Sequence, residues 1–355
     1  MAPRPTTNPA WTIPSTASKV QDLTKVDKAV PTPGPNQVLV RLTAASLNYR
    51  DYLIATRNPQ YPGDHVADLV PGSDGAGVIH TAGSSSSWRG REGTLVVIHP
   101  CAWLDGDVTQ LDQSRILGGR AVDGTLQSWL LVDDGYPIPA PKNLTAEEAA
   151  CLFTAGSTAW AAIRGGLDGR LDGQGQTVLT QGTGGVSCFA IQIAAALGAT
   201  VIATSSSDAK LDLAKSLGAT HLINYKTTPA WDAEVLRLTS GAGVDHVIEV
   251  GGAATLMQSL MSTRTGGLVS IIGVLSANEP ISEAFVPSML FGAKTVKGRT
   301  AFSARDSTEL CRFVEAHGIK PVVAETFGFE EAVRAFEVLE GQKAVGKIVV
   351  RIGEA

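Results

Sequence analysis

Two hydrophobic rhythms divide this chain. Up to about Pro141, short apolar runs of β type, Val38–Leu42, Gly77–His80, Thr94–His99 and Leu126–Val132, are broken by Gly, Pro and Asp, which predicts an irregular, mostly β region. At Thr145 the pattern changes, because Thr-Ala-Glu-Glu sets a capping box, Thr145 to Glu148, before the apolar run Ala149–Phe153 and so predicts a helix start. Beyond Gly175 strand-like and helix-like runs alternate: Thr177–Thr180, Val186–Leu197, Thr200–Thr204, Ala209–Leu217, His221–Asn224, Trp231–Thr239, His246–Val250. That alternation predicts a parallel sheet, and its short strands, apolar on both faces, suit helices on both sides. Leu268–Val274 and Thr295–Gly298 extend it to six strands. The tail predicts helices over Asp306–His317 and Glu330–Glu340, then a strand Lys347–Arg351 with no partner in that sheet, expected to return to the first region.

Composition narrows the classes of protein without altering that layout. A chain of 355 residues with 44% hydrophobic and 18% charged residues can bury a sizeable core, and its length fits two domains. A formal charge of −5 supplies no broad positive field, so nucleic acid is not an expected partner. The opening Met-Ala-Pro-Arg-Pro has no apolar run behind its Arg and no later stretch has the length of a membrane span, so a cytoplasmic location is expected. Cys101, Cys151, Cys188 and Cys311 lie far apart and are expected to be free, buried thiols.

The chemistry begins at the first strand-to-helix junction, Thr177-Val-Leu-Thr-Gln-Gly182-Thr-Gly184-Gly185-Val186. Gly182 permits a tight turn, Gly184 and Gly185 let backbone approach a pyrophosphate, and the helix end presents unpaired N–H groups. Ser187 stands where a third glycine would complete G-x-G-x-x-G, and is small enough for close packing. An NAD site normally carries Asp or Glu at the end of the next strand. Here that strand ends Ala-Thr-Ser205-Ser206-Ser207, with no carboxylate before Asp208 and with Lys210 following, a set that suits a ribose 2′-phosphate and so favours NADP(H). Capping of the next helix by Ser207 or Asp208 is compatible with this. Tyr225 would lie beside the same pocket, as a phosphate or adenine contact or as a packed loop residue.

These segments, together with Leu47-Asn48-Tyr49-Arg50-Asp51-Tyr52, Pro71-Gly-Ser-Asp-Gly-Ala-Gly-Val and Thr154-Ala-Gly-Ser-Thr-Ala-Trp160, resemble the quinone oxidoreductase branch of the medium-chain dehydrogenase/reductase superfamily over nearly the whole chain. The resemblance implies a Rossmann doubly wound parallel sheet, residues 151–299, inserted into a GroES-like β-rich catalytic domain, residues 1–150 completed by 300–355. It places Ser206, Lys210 and Tyr225 at the 2′-phosphate, and Thr158, Gly184, Val186, Gly251, Val274 and Lys347 near the rest of the cofactor. Zinc members of the superfamily carry Cys, a His-Glu pair and a further Cys or Asp where this chain has Asn48 and Ser73-Asp74, and a structural zinc loop of four cysteines where Pro100–Gly119 has only Cys101. His65, His80 and His99 have no convergent Cys or Glu pattern, so no metal is expected.

Without a metal, hydride transfer relies on hydrogen-bond donors, which suits addition to a conjugated carbonyl that becomes an enolate, or to a quinone. Asn48 is the expected amide donor, and Tyr49 or Tyr52 a phenolic one, with local packing an equal reading for both tyrosines. Arg305 is expected in a surface ion pair. An NADP-dependent alcohol dehydrogenase or ketoreductase, and an NADPH-binding protein of crystallin-like or regulatory type without turnover, are the alternatives. The expected partners are a small carbonyl-conjugated substrate, read by the loops Asn58–Asp68 and Ala102–Arg115, with Trp129 either shaping the pocket or supporting the β domain, and a second copy of the chain in a homodimer.

Overall fold

A computed structural model of the chain describes residues 6–61, 63–165, 175–276 and 280–353. The chain divides into two compact units, Met1–Ala155 with Ser303–Ala355, and Gly156–Phe302.

The first unit opens with β1 (Thr7–Thr12), β2 (Thr24–Ala29), β3 (Gln37–Leu47), α1 (Tyr49–Ala55), β4 (Asp74–Ala82), β5 (Leu95–Ile98), β6 (Trp129–Asp133), β7 (Pro137–Pro139) and α2 (Ala146–Ala150). The capping box forms at α2, where Thr145 Oγ1 accepts from Glu148 N at 3.3 Å and the Glu148 carboxylate accepts from Thr145 N at 2.9 Å. A π-helical turn, Leu152–Ser157, then leads into the second unit.

That unit consists of α3 (Thr158–Arg164), β8 (Thr177–Gln181), α4 (Gly185–Ala196), β9 (Thr200–Ser205), α5 (Asp208–Ser216), β10 (His221–Asn224), α6 (Trp231–Leu238), β11 (Val244–Glu249), α7 (Ala253–Ser262), β12 (Thr263–Ile271), α8 (Phe285–Gly292) and β13 (Thr295–Gly298). Its six strands lie in the order β10-β9-β8-β11-β12-β13, every pair parallel. The chain winds outward from β8 in one direction and from β11 in the other, so the crevice between them, at the strands' C-terminal ends, is a topological switch point. The fifth strand differs from its sequence expectation: it begins at Thr263 and ends at Ile271, because its pairing with β11 and β13 stops there and Ile272–Val274 leave as a loop. Leu179, Ile202, Val235, Val247, Leu260 and Val269 share one core cluster, drawn from strands and the helices on them.

The chain returns to the first unit through α9 (Ala304–His317), β14 (Val323–Gly328), α10 (Ala332–Glu340) and β15 (Lys347–Arg351). β15 runs antiparallel to β3, pairing Ile348 with Leu47 and Arg351 with Ala44, and parallel to β14. β3 is long enough to take β6 along Gln37–Arg41 and β15 along Ala44–Leu47 on one edge, with β4 on the other. Fully buried side chains such as Ile54, Phe336 and Val350 join these elements in one cluster, each contributing about 1.5–3 kcal/mol by removal of apolar surface from water.

Candidate active site

In the second unit the predicted dinucleotide residues collect at the C-terminal ends of the parallel strands. Gly182 follows β8 with φ +70°, a left-handed conformation that glycine adopts without strain. Gly184 is the N-cap of α4, and a Cβ built on Gly182 or Gly184 would meet no atom within 4 Å, so both face open space that backbone N–H groups can offer to an anion. Gly185 and Val186 open α4, with Val186 half-buried. Thr183 and Ser205 hydroxyls lie 3.4 Å apart, tying the turn to the end of β9.

Ser206 and Lys210 are half-buried at the end of β9 and in the first turn of α5, and Tyr225, just past β10, is exposed with its N–H on Ser205 O at 3.1 Å. Ser207 is the N-cap of α5 by backbone geometry, but its side chain makes no capping bond. The Asp208 carboxylate is turned to Asn224 Nδ2 at 2.8 Å, so the capping role expected of either residue is not performed by a side chain. Gly251 follows β11 and Val274, half exposed, follows β12. Thr158 is the first residue of α3, the helix that packs on α4. The cradle fits a dinucleotide: open glycines at the N-terminus of a 12-residue helix, with hydroxyls and an ammonium beyond.

Two residues passed over by the sequence reasoning sit at the switch point. Gln181 and Glu249 close β8 and β11, and Gln181 Nε2 donates to the fully buried Glu249 carboxylate at 2.8 Å. The available signal was a polar residue ending each of two apolar strands.

In the first unit Asn48 precedes α1, and its backbone N–H is accepted by Asp51 at 2.8 Å. The Asn48 side chain turns instead to a buried polar cluster: Nδ2 donates to Asp74 at 3.0 Å, and Oδ1 accepts from Lys347 Nζ. Asp74 also accepts from Thr154 N at 3.0 Å and Thr154 Oγ1 at 2.6 Å. Lys347 is only 3% exposed, and its other acceptors are Leu47 O at 2.9 Å and Asp74 at 3.5 Å. The three donors of its ammonium therefore have three acceptors inside this unit. Thus the structure brings Asn48 and Lys347 together. Tyr52 packs on the apolar cluster, and its phenol is pushed above the usual range, by burial first and then by the Glu340 carboxylate. Tyr49 stands beside it with ring centroids 5.6 Å apart.

This cluster does not fit a zinc ion. One carboxylate, an amide and two hydroxyls replace soft or imidazole ligands, and an ammonium already stands against the carboxylate. Among the described residues no three His, Cys, Asp or Glu side chains converge on a point. The four cysteines are free and buried, and burial pushes Cys151 up to about 11 and Cys188 and Cys311 to about 12, which keeps these three thiols protonated and unreactive.

Of the features expected around the substrate, Trp129 is a strand residue of β6, stacked edge-on against His80 at 4.8 Å with its backbone bonded to Asn8, and so supports the β framework. Arg305 lies in exposed ion pairs with Asp105 at 3.2 Å and Glu309 at 3.1 Å.

The doubly wound sheet with an open glycine turn has the architecture of a nucleotide-binding domain, and comparison with known proteins supplies the class. Residues 34–142 match the family model described as alcohol dehydrogenase GroES-like domain, and residues 185–316 match that described as zinc-binding dehydrogenase. A zinc-type alcohol dehydrogenase-like protein of Schizosaccharomyces pombe is 40% identical over 90% of this chain and 91% of its own length. Crotonyl-CoA reductase of Streptomyces collinus is 30% identical over 90% of this chain and 79% of its own. The crystal structure of a putative alcohol dehydrogenase from Sinorhizobium meliloti superposes with a TM-score of 0.89 at 35% identity, covering 99% of this chain and 100% of that one. The chain belongs to the medium-chain dehydrogenase/reductase superfamily and is an oxidoreductase.

Proposed function

We propose that this oxidoreductase uses NADPH to reduce an activated C=C bond or a quinone, without a catalytic metal. One observation carries the reading: at the C-terminal ends of the strands, the open Gly182–Gly184 turn after β8 is joined by Ser206 at the end of β9 and Lys210 in the first turn of α5, where an NAD site would carry a ribose-binding carboxylate. When bound, the dinucleotide supplies hydride from its nicotinamide ring. The chain's part is to hold it: backbone N–H groups of the turn take the pyrophosphate, Ser206, Lys210 and Tyr225 take the 2′-phosphate, and Thr158, Val186, Gly251 and Val274 bound the remainder.

Hydride added to the β-carbon of an enone leaves charge on oxygen, which calls for donors and then a proton at the α-carbon. Asn48, Tyr49 and Tyr52 are the proposed donors, Tyr49 ahead of the other two because Asn48 Nδ2 already donates to Asp74 at 3.0 Å and the Tyr52 phenol is engaged by Glu340. The crotonyl-CoA reductase relative supports the C=C reading. The relatives named as alcohol dehydrogenases favour a second one, carbonyl reduction. A homodimer formed through the free edge of β13 is also proposed.

The two chemistries separate by isotope tracing. Chelator-treated protein is given C4-deuterated NADPH with an enone, a quinone and a ketone, and product deuterium is located by mass spectrometry and NMR. Deuterium on a β-carbon, or quinol formation, is expected. Deuterium on a carbinol carbon would establish the second reading, and failure of the metal-free protein to bind NADPH would overturn the first.

A further inference from the structure

Resting on that reading, we propose that Gln181 and Glu249 form a buried positioning pair that sets the loop after β11 for the nicotinamide half of the dinucleotide. The two residues follow the paired positions Thr180 and Ile248, so they face each other across the switch point. The Glu249 carboxylate is fully buried and receives Gly251 N at 2.7 Å, Gly252 N at 3.0 Å, Thr255 Oγ1 at 2.6 Å, Gln181 Nε2 at 2.8 Å and the Ser259 hydroxyl. Gln181 Oε1 in turn accepts from Val250 N at 3.1 Å.

A buried carboxylate is costly unless its oxygens are fully hydrogen-bonded, and a strand end that needed only packing would be served by an apolar residue. What this pair adds is direction. It captures the N–H groups of Val250, Gly251 and Gly252, and so holds a turn in which Gly252 sits at φ +87°. That turn holds the next one, since Ser276 Oγ donates to Gly251 O at 2.6 Å and accepts from Ala254 N at 3.0 Å. On the other strand, Gln181 directly precedes the phosphate turn. Dinucleotides lie across a switch point with the adenosine half over one side of the sheet and the nicotinamide half over the other. The pair therefore governs the side formed by β11 and β12, while the adenosine side is built by β9 and β10.

The test compares the whole dinucleotide with its adenosine half. NADPH and 2′,5′-ADP affinities are measured by fluorescence titration and calorimetry for wild type, Glu249→Gln, Gln181→Glu and the double variant, with melting temperatures alongside. Glu249→Gln sets two amide donors face to face, so NADPH affinity is expected to fall about tenfold while 2′,5′-ADP affinity stays within about twofold, since one lost charge-assisted bond is of that size. The double variant restores a Glu–Gln pair with the partners exchanged and is expected to recover most of the loss. Parallel loss of both ligands, no loss, or no recovery overturns the pair's role. If Glu249→Gln does not fold, Thr255→Val removes one bond to the carboxylate and is read by the same contrast. A wild type that binds NADH and not NADPH is read with NADH against 5′-AMP; one that binds no dinucleotide overturns the proposed function itself, and the pair's role with it.

Discussion

At the scale of single residues, the proposed preference for NADPH rests on a few side chains at the end of β9 and the start of α5. A 2′-phosphate brings negative charge to the Ser206–Lys210 corner, and a charge-assisted hydrogen bond is worth about 1.5–3 kcal/mol, or roughly ten- to a hundredfold in affinity. Lys210→Ala is accordingly expected to weaken NADPH by that factor and to leave NADH unchanged, as read by paired titrations. Equal effects on the two nucleotides would place Lys210 outside the phosphate site. The residues proposed for this corner were legible in the sequence because they are neighbours a few positions apart. Asn48 was legible as a polar residue at the start of a helix, but not its partners: Asp74 is 26 positions away and Lys347 299. The contacts that orient its amide exist only once β3, β4 and β15 lie side by side.

Secondary-structure elements carry the stability consequences. β11 is a central strand, and it places His246 wholly inside the sheet layer, with Nε2 at 2.9 Å from Ser270 Oγ of β12. Burial, with Arg299 adding to it and Asp245 opposing, pushes the imidazole down to about 3 from an ordinary 6.5. The folded state thus keeps His246 neutral while the unfolded chain takes up a proton below 6.5. Stability is therefore lost as pH falls from about 6.5 toward about 3, at about 1.4 kcal/mol per pH unit for this one group. His246→Gln, which retains a polar partner for Ser270, is expected to flatten that acid limb in chemical denaturation series run at stepped pH; an unchanged slope would show that other groups produce it. The elements themselves follow closely from the hydrophobic rhythm: β13 and β15 span Thr295–Gly298 and Lys347–Arg351 as expected. Where ends shifted, as for β4 and β12, pairing with a distant strand set the boundary rather than local composition.

For the whole molecule, the proposed homodimer rests on the edge of the second unit's sheet. Among the described residues β13 has a neighbour on one side only, and α8 just before it exposes Val286 at 68%, Leu290 at 70% and Phe291 at 84%. A free strand edge beside apolar side chains is a template for pairing with another chain. In the proposed homodimer Leu290→Glu with Phe291→Glu should yield monomers by light scattering while NADPH binding persists. A wild type that is already monomeric would refute the dimer. No helix among the described residues is long and apolar enough to cross a membrane.

Local physics was enough for the alternating strands and helices, the glycine turn at Gly182–Gly185, and the lack of a carboxylate where an NAD site would have one. Each is a matter of backbone preference or of residues within one turn, and the chain displays it in order. The pairing of Gln181 with Glu249, 68 positions apart, and the closure of Asn48, Asp74, Thr154 and Lys347 into one cluster came from folding alone. Such contacts depend on which strands become neighbours and in what register. A shift of one residue would turn the strand residues among them, Asp74, Gln181, Glu249 and Lys347, to the opposite face of their sheets.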